Sequence, residues 1–307
     1  MSTAWVAAAV RARALARRRL GASGARALAG SGSLADAVAT LADTPYGHDV
    51  RAADDLAQAQ HGAAAALLWH LRVLGGWVPR TGTPALRALA AGFEVANADE
   101  HLQALRGDPA EAAFRLGSFA TAWPRLVRTT STREVREVLT TSAWGDPGGE
   151  GIRTIRLGMR LSWAARVAAT VPQARTWAAG AAALLAARER VLAGRGVPTE
   201  VVRLGEPVLG STWSAARSLP DLVTSVGAQA SWPLLGIADP AELWRAEAAW
   251  WRRVEQDGFT LLRRSGFGSD PVIGALAVLA VDTWRVRSAL EAAAAGPRAQ
   301  EPFDALA

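Results

Sequence analysis

Three phrases in this chain share one pattern, and their spacing limits the folds open to it. Thr44-Pro45-Tyr46-Gly47, Ser142-Ala143-Trp144-Gly145 and Ser231-Trp232-Pro233 each set a small hydroxyl residue and an aromatic ahead of a helix breaker. The aromatics stand 98 and 88 residues apart. A second landmark follows each phrase: an Ala/Leu-rich helical stretch ending in glycine, at Gly107, at Gly194 or Gly196, and at Gly296. Those glycines are also roughly 90 to 100 residues apart. Two landmarks in the same order predict three copies of one unit, spanning about 20–107, 108–196 and 197–296. With the chain ends attached, the modules are 1–107, 108–196 and 197–307. Three like modules usually present a shaped surface to a partner, so the pattern favours an assembly part over an enzyme.

Alanine, leucine and arginine dominate, and all three favour helix. Runs of alternating β-branched residues are nearly absent, so the expected class is all-α. The pattern predicts helices over 3–20, 24–30, 33–43, 51–75, 84–106, 109–129, 132–142, 150–169, 173–194, 198–204, 211–227, 239–262 and 270–295. Ser33 before Leu34-Ala35-Asp36 reads as an N-cap, and Ser131-Thr132-Arg133-Glu134 as a capping box. Pro84, Pro109, Pro172, Pro240 and Pro271 each stand where a first helical turn accepts proline. Gly21 reads as the end of the first helix, and Gly47, Gly107 and Gly145 as structural glycines at helix ends. At 307 residues the chain can bury about three quarters of its unfolded surface.

Several chemistries are excluded by composition. The chain has no cysteine, so disulfides, thiolate metal sites and cysteine nucleophiles are ruled out. It has no lysine either, which rules out a Schiff-base lysine or a P-loop lysine; all 34 cationic side chains are arginine. His48, His61, His70 and His101 include no pair at i, i+4 and no HExxH, so no zinc site is expected. Asp54-Asp55 and Asp99-Glu100 read as solvated helix faces. No GxSxG, GxGxxG or GKS/T phrase is present, and no cofactor or small-molecule substrate is expected. Outside the first helix, arginines alternate with acids, as in Arg133/Glu134 and Arg188/Glu189, which argues against nucleic acid as a partner. No uncharged apolar run approaches the 18 to 20 residues of a membrane span, so a soluble protein is expected.

The chain opens Arg-rich and acid-poor, with no acid before Asp36. It reads as a first structural helix, and Arg11, Arg13, Arg17 and Arg18 are candidate contacts for an acidic surface. Trp250 and Trp251 point about 100° apart on a helix, so one of them is expected to meet another module or a partner. Interfaces favour Trp and Arg, and this chain has 13 tryptophans against one tyrosine.

Four stretches resemble one family, the C subunit (d in eukaryotes) of V-type and A-type rotary ATPases. Ala7 to Leu15 is similar to its opening helix, and Leu41 to Gly47 to its Leu-x-x-Thr-x-Tyr element. Phe93-Glu94-Val95-Ala96-Asn97, followed by Leu102, Leu105, Arg106 and Gly107, is similar to its aromatic–acid–hydrophobic–x–Asn signature. Asp270 to Gly296, with Trp284-Arg285-Val286-Arg287, resembles its closing helix. Asn97 is the only asparagine, so the second and third copies lack that residue. The resemblance implies three similar helical modules in a pseudo-threefold, funnel-like arrangement. It implies a non-catalytic subunit that links the central stalk to the proteolipid rotor ring and passes torque during proton or sodium transport. It also implies a cytoplasmic position, peripheral to the membrane through the complex. The alternative from the residues alone is a helical scaffold or regulator unconnected to ATPases.

Overall fold

A computed structural model of the chain describes residues 3–296. Positions 1–2 and 297–307, which the sequence assigns to the first and third modules, lie outside the described residues. The described chain is all-α, with no strand. Tertiary contacts divide it into two compact units, residues 3–83 with 251–296, and residues 84–250. These limits differ from the repeat limits at 107/108 and 196/197 because they follow tertiary contacts rather than repeat length.

The first unit comprises α1 (Val6–Ala16), α2 (Gly21–Ala29), α3 (Leu34–Ala42), α4 (Leu56–Gly75), the end of α13 (Leu243–Arg263) and α14 (Asp270–Ala295). α14 is its axle: every residue from Pro271 to Leu279 is buried, and α1, α2, α3 and α4 all pack on it. An apolar core joins Leu28, Val38, Leu41, Tyr46, Val50 and the α14 residues Val286, Ala289 and Leu290. Ser33 caps α3 by accepting the Asp36 N–H, as its spacing predicts. α4 starts five residues later than expected, because the Asp54 carboxylate accepts the Arg51 N–H and Asp55 with Gln58 forms a full capping box. Gly21 (φ +76°) opens α2 rather than closing α1, which stops at Ala16.

The second unit holds α5 (Thr83–Ala104, from Pro84), α6 (Trp123–Leu126), α7 (Thr132–Thr140), α8 (Ile152–Thr170), α9 (Arg175–Ala186), α10 (Thr199–Leu209), α11 (Leu219–Ser225), α12 (Ala228–Ser231) and the start of α13. α8 packs on α9 and α10, and α9 on α12. One core gathers Val95 and Leu102 of α5 with Leu126, Val135, Leu139, Trp144, Ile155 and Met159. Ser131 caps α7 through the Glu134 N–H, but the Glu134 carboxylate turns to the Thr130 N–H, so only half of a capping box forms. α9 continues as a π-helical turn over Ala187–Leu192 before Gly194 (φ +60°).

Two expected helices are absent. Residues 109–129 hold only a 3-10 turn at Gly117–Phe119 and the four-residue α6. Buried α5 side chains take the backbone groups that a helix would use: Asn97 brackets Phe114, and Glu94 accepts from Thr121, Ala122 and Trp123. Residues 211–227 break into a 3-10 turn at Trp213–Ala215 and α11, after Gly210 (φ +84°) ends α10.

Glycine lets α13 approach α14 closely inside the first unit. A Cβ on Gly274 would lie 2.6 Å from the Gly258 carbonyl oxygen and 2.9 Å from the Leu262 amide nitrogen. Both obstacles are backbone, so the helices themselves would have to part. Gly274→Ala is expected to lower stability by about 1–3 kcal/mol. Gly266→Ala, where a Cβ meets nothing within 4 Å, should stay within about 0.5 kcal/mol of wild type. Urea midpoints of the two variants give the comparison.

Candidate functional site

The hydroxyl–aromatic phrases fold alike in the first two copies. Thr44 Oγ1 donates to the Leu41 carbonyl at 2.6 Å and accepts the Tyr46 N–H at 3.2 Å. Ser142 Oγ does the same, donating to Leu139 at 2.7 Å and accepting from Trp144 at 3.2 Å. This local bonding ends the preceding helix and turns the aromatic inward. Tyr46 and Trp144 are both buried, and each gives its one polar hydrogen to a buried carboxylate. Tyr46 Oη donates to Asp282 Oδ2 at 2.8 Å, and Trp144 Nε1 to Glu94 Oε1 at 3.0 Å.

Those carboxylates also collect the first N–H groups of a neighbouring helix. Asp282 accepts from Leu20 and Gly21 at the start of α2. Glu94 accepts from Thr121, Ala122 and Trp123 at the start of α6. A helix N-terminus offers unpaired N–H groups and partial positive charge, and both suit an anion. Burial, followed by the charge of Asp282, holds the Tyr46 phenol well above its ordinary pKa. Over Trp144, the Arg166 guanidinium stands 4.6 Å from the ring centroid. Burial pulls the Arg166 pKa down, while the Glu94 charge works the other way.

The third copy replaces the carboxylate with a glycine. Trp232 packs against Gly180 of α9, whose added Cβ would meet the indole at 3.0 Å, and Trp232 Nε1 donates to the Thr176 carbonyl at 3.3 Å. Glu94, Gly180 and Asp282 precede Gly107, Gly194 and Gly296 by 13, 14 and 14 residues, and all three of those glycines have positive φ. The aromatic of each phrase therefore meets its helix at one equivalent place. Ser231 departs from the expected turn: it lies in helical conformation (φ −73°) at the end of α12, whereas Thr44 is extended. The comparable hydroxyl bond comes earlier, from Ser225 Oγ to the Leu222 carbonyl.

The remaining candidates scatter. Asn97 clamps Phe114 through both its amide groups, three residues after Glu94. Arg285, three residues after Asp282, forms a two-pronged ion pair with Glu255. Gly107 (φ +84°) closes α5 in a Schellman-type end, with the Asp108 N–H reaching the Gln103 carbonyl. Gly145 has φ +80°, while Gly47 lies inside the 3-10 turn Pro45–His48, where a Cβ would overlap the Ala42 carbonyl oxygen at 1.8 Å. Arg13 bonds the Leu262 and Arg264 carbonyls at the end of α13, a structural duty. Arg11 lies over Trp77, while Arg17 and Arg18 are exposed. Trp250 Nε1 donates to the Trp177 carbonyl in the second unit, and Trp251 stacks on Trp284 in the first. Trp250 thus meets a residue of stretch 108–196, as expected for one of the two, while Trp251 packs within 197–307. Asp99 is not on a solvated face; its carboxylate is mostly buried and binds Arg156 and Arg160.

Sequence reasoning missed the roles of Asp282 and Glu94 as anchors. A signal existed for Asp282, the only acid between Asp270 and Glu291 in an otherwise apolar helix. Among the described residues, no group of three His, Asp or Glu side chains could hold a metal ion, and no helix is long and apolar enough to cross a membrane. Comparison with protein-family models and with curated proteins returns no match for this chain.

Glu94→Ala would leave three backbone N–H groups and an indole N–H without their acceptor. A loss of at least about 3 kcal/mol is expected in chemical denaturation. Glu94→Gln keeps one accepting oxygen and should lose less. A second expectation concerns His70, whose pKa is lowered to about 4 by burial and then by the Arg18 charge, with His48 acting in the same sense and Asp49 against. The unfolded chain then binds the His70 proton more tightly than the folded one. Stability from this source is complete above about pH 6.5 and declines as pH falls toward 4, by on the order of 2–3 kcal/mol. Melting curves across that range should show a shallower decline in His70→Gln than in wild type.

Proposed function

We propose that this chain is the non-catalytic subunit that couples the central stalk of a V/A-type rotary ATPase to its proteolipid rotor ring. In this reading modules 1–107, 108–196 and 197–307 surround a pseudo-threefold axis and form a funnel that receives the stalk. The observation that carries it is the recurring contact of phrase and helix. Tyr46 of the first copy meets α14 of the third, Trp144 of the second meets α5 of the first, and Trp232 of the third meets α9 of the second. A closed set of three modules needs that cyclic hand-over, in which each copy holds its predecessor and the first holds the last.

The chemistry of the buried carboxylates also supports a mechanical role. Glu94 and Asp282 bind backbone N–H groups and an aromatic, and Glu255 binds Arg285, so these acids fix helices in place. A part that passes torque works through stiffness, and the capped, closely packed helices described above supply it. In this reading the partners hold the chain at the cytoplasmic side of the membrane, and it contributes no span of its own.

The test is affinity purification of the tagged chain from gently solubilised membranes of its own source cells, with partners identified by mass spectrometry. Recovery of nucleotide-binding subunits, stalk subunits and the proteolipid is the expected outcome. Recovery of the bare chain, or of unrelated proteins, would move the function to a helical scaffold.

A further inference from the structure

The outer face of α1 combines exposed apolar side chains with cations. Val6 and Val10 lie one helical turn apart and are 37% and 57% exposed. Trp77, at the end of α4, is 45% exposed, and the Arg11 guanidinium lies 4.8 Å from its ring centroid. Arg17 continues the Val6–Val10 face, and Arg80 follows Trp77 by three residues; both are exposed. The inner face is committed to the fold through Ala8, Ala9, Ala12, Leu15 and Ala16, and through Arg13 at the end of α13. Arg18 is exposed and lies close enough to His70 for its charge to lower that imidazole's pKa. From Thr3 to Ala35 the sequence has no acid to neutralise this face.

We infer that this face is a docking surface for an anionic phospholipid bilayer. The charge is of one sign, so the occupant is anionic. Three large apolar side chains offer far less than the roughly 800 Å² per partner of a standard protein interface. A lipid interface needs no shaped complement. Trp is favoured at headgroup depth, and Arg attracts anionic lipid. The contact is superficial, because no described helix is long and apolar enough to cross. This inference does not rest on the coupling-subunit reading.

The test is co-sedimentation of the full chain with unilamellar vesicles of phosphatidylcholine, with and without phosphatidylserine. Binding is expected only with phosphatidylserine, and raised salt should release it. Arg11→Glu with Arg17→Glu should weaken binding about tenfold or more, and Trp77→Ser should weaken it measurably. Arg128→Glu with Arg203→Glu makes the same change in net charge in the second unit and should leave binding unchanged. Circular dichroism melting checks that each variant folds; should the double variant fail, Val10→Glu at its exposed position takes its place. The inference is overturned by absence of binding to phosphatidylserine vesicles, by wild-type binding in the double variant, or by equal loss in both charge-reversed pairs. Vesicle binding without recovery of ATPase subunits would retire the coupling reading alone, and the converse would retire this one alone.

Discussion

A buried carboxylate on a long helix is the contact on which the rest of each unit depends. It sits where apolar packing would otherwise exclude charge, and it is tolerable there because its oxygens are filled with N–H and O–H donors. Glu94 shows the arrangement most fully, with three consecutive N–H groups and an indole. Asp282 repeats it with two N–H groups and a phenol. One side chain thereby fixes three things: the start of a neighbouring helix, the depth of an aromatic, and the register of the helix that carries it. Apolar contacts alone are non-directional and would fix none of these so closely.

The third copy shows what happens when the carboxylate is absent. Gly180 opens room for the indole of Trp232, and the indole N–H finds a backbone carbonyl one turn away. Shape replaces charge at an equivalent position. The neighbouring alanines of α9 continue the same solution, since small side chains let helices approach closely. Gly92, whose Cβ would strike Trp163, and the Gly258–Gly274 crossing use the same device elsewhere.

Much of this was legible in the sequence because its signals are local. Ser33 and Ser131 cap the helices their spacing predicts, and Gly107, Gly194 and Gly296 all have the left-handed φ expected of helix ends. Tyr46, Trp144 and Trp232 meet Asp282, Glu94 and Gly180, each 13 or 14 residues before a glycine of positive φ. The failures come where distant side chains decide. Residues 109–129 have helical composition but irregular backbone, because Glu94 and Asn97 reach them across a fold that composition does not encode. The partners of Trp250 and Trp251 were equally out of reach, since adjacency on a helix says which directions they point and not what lies there. Ser231 and Trp232 match the other two phrases by residue type, and only the backbone shows that Ser231 is helical and does not form the hydroxyl turn.

The discontinuous first unit has a consequence for synthesis on the ribosome. Tyr46 and its acceptor Asp282 are 236 residues apart, so α2, α3 and α4 emerge long before the helix they need. At ordinary elongation rates the delay is roughly 10 to 50 s. During that time the unit can form individual helices but not its core, whereas residues 84–250 emerge as one continuous stretch and can close first. The nascent amino-terminal segment thus exposes an unfinished apolar surface to the cell, and α14 acts as a late-arriving keystone that completes the earliest-made part of the chain.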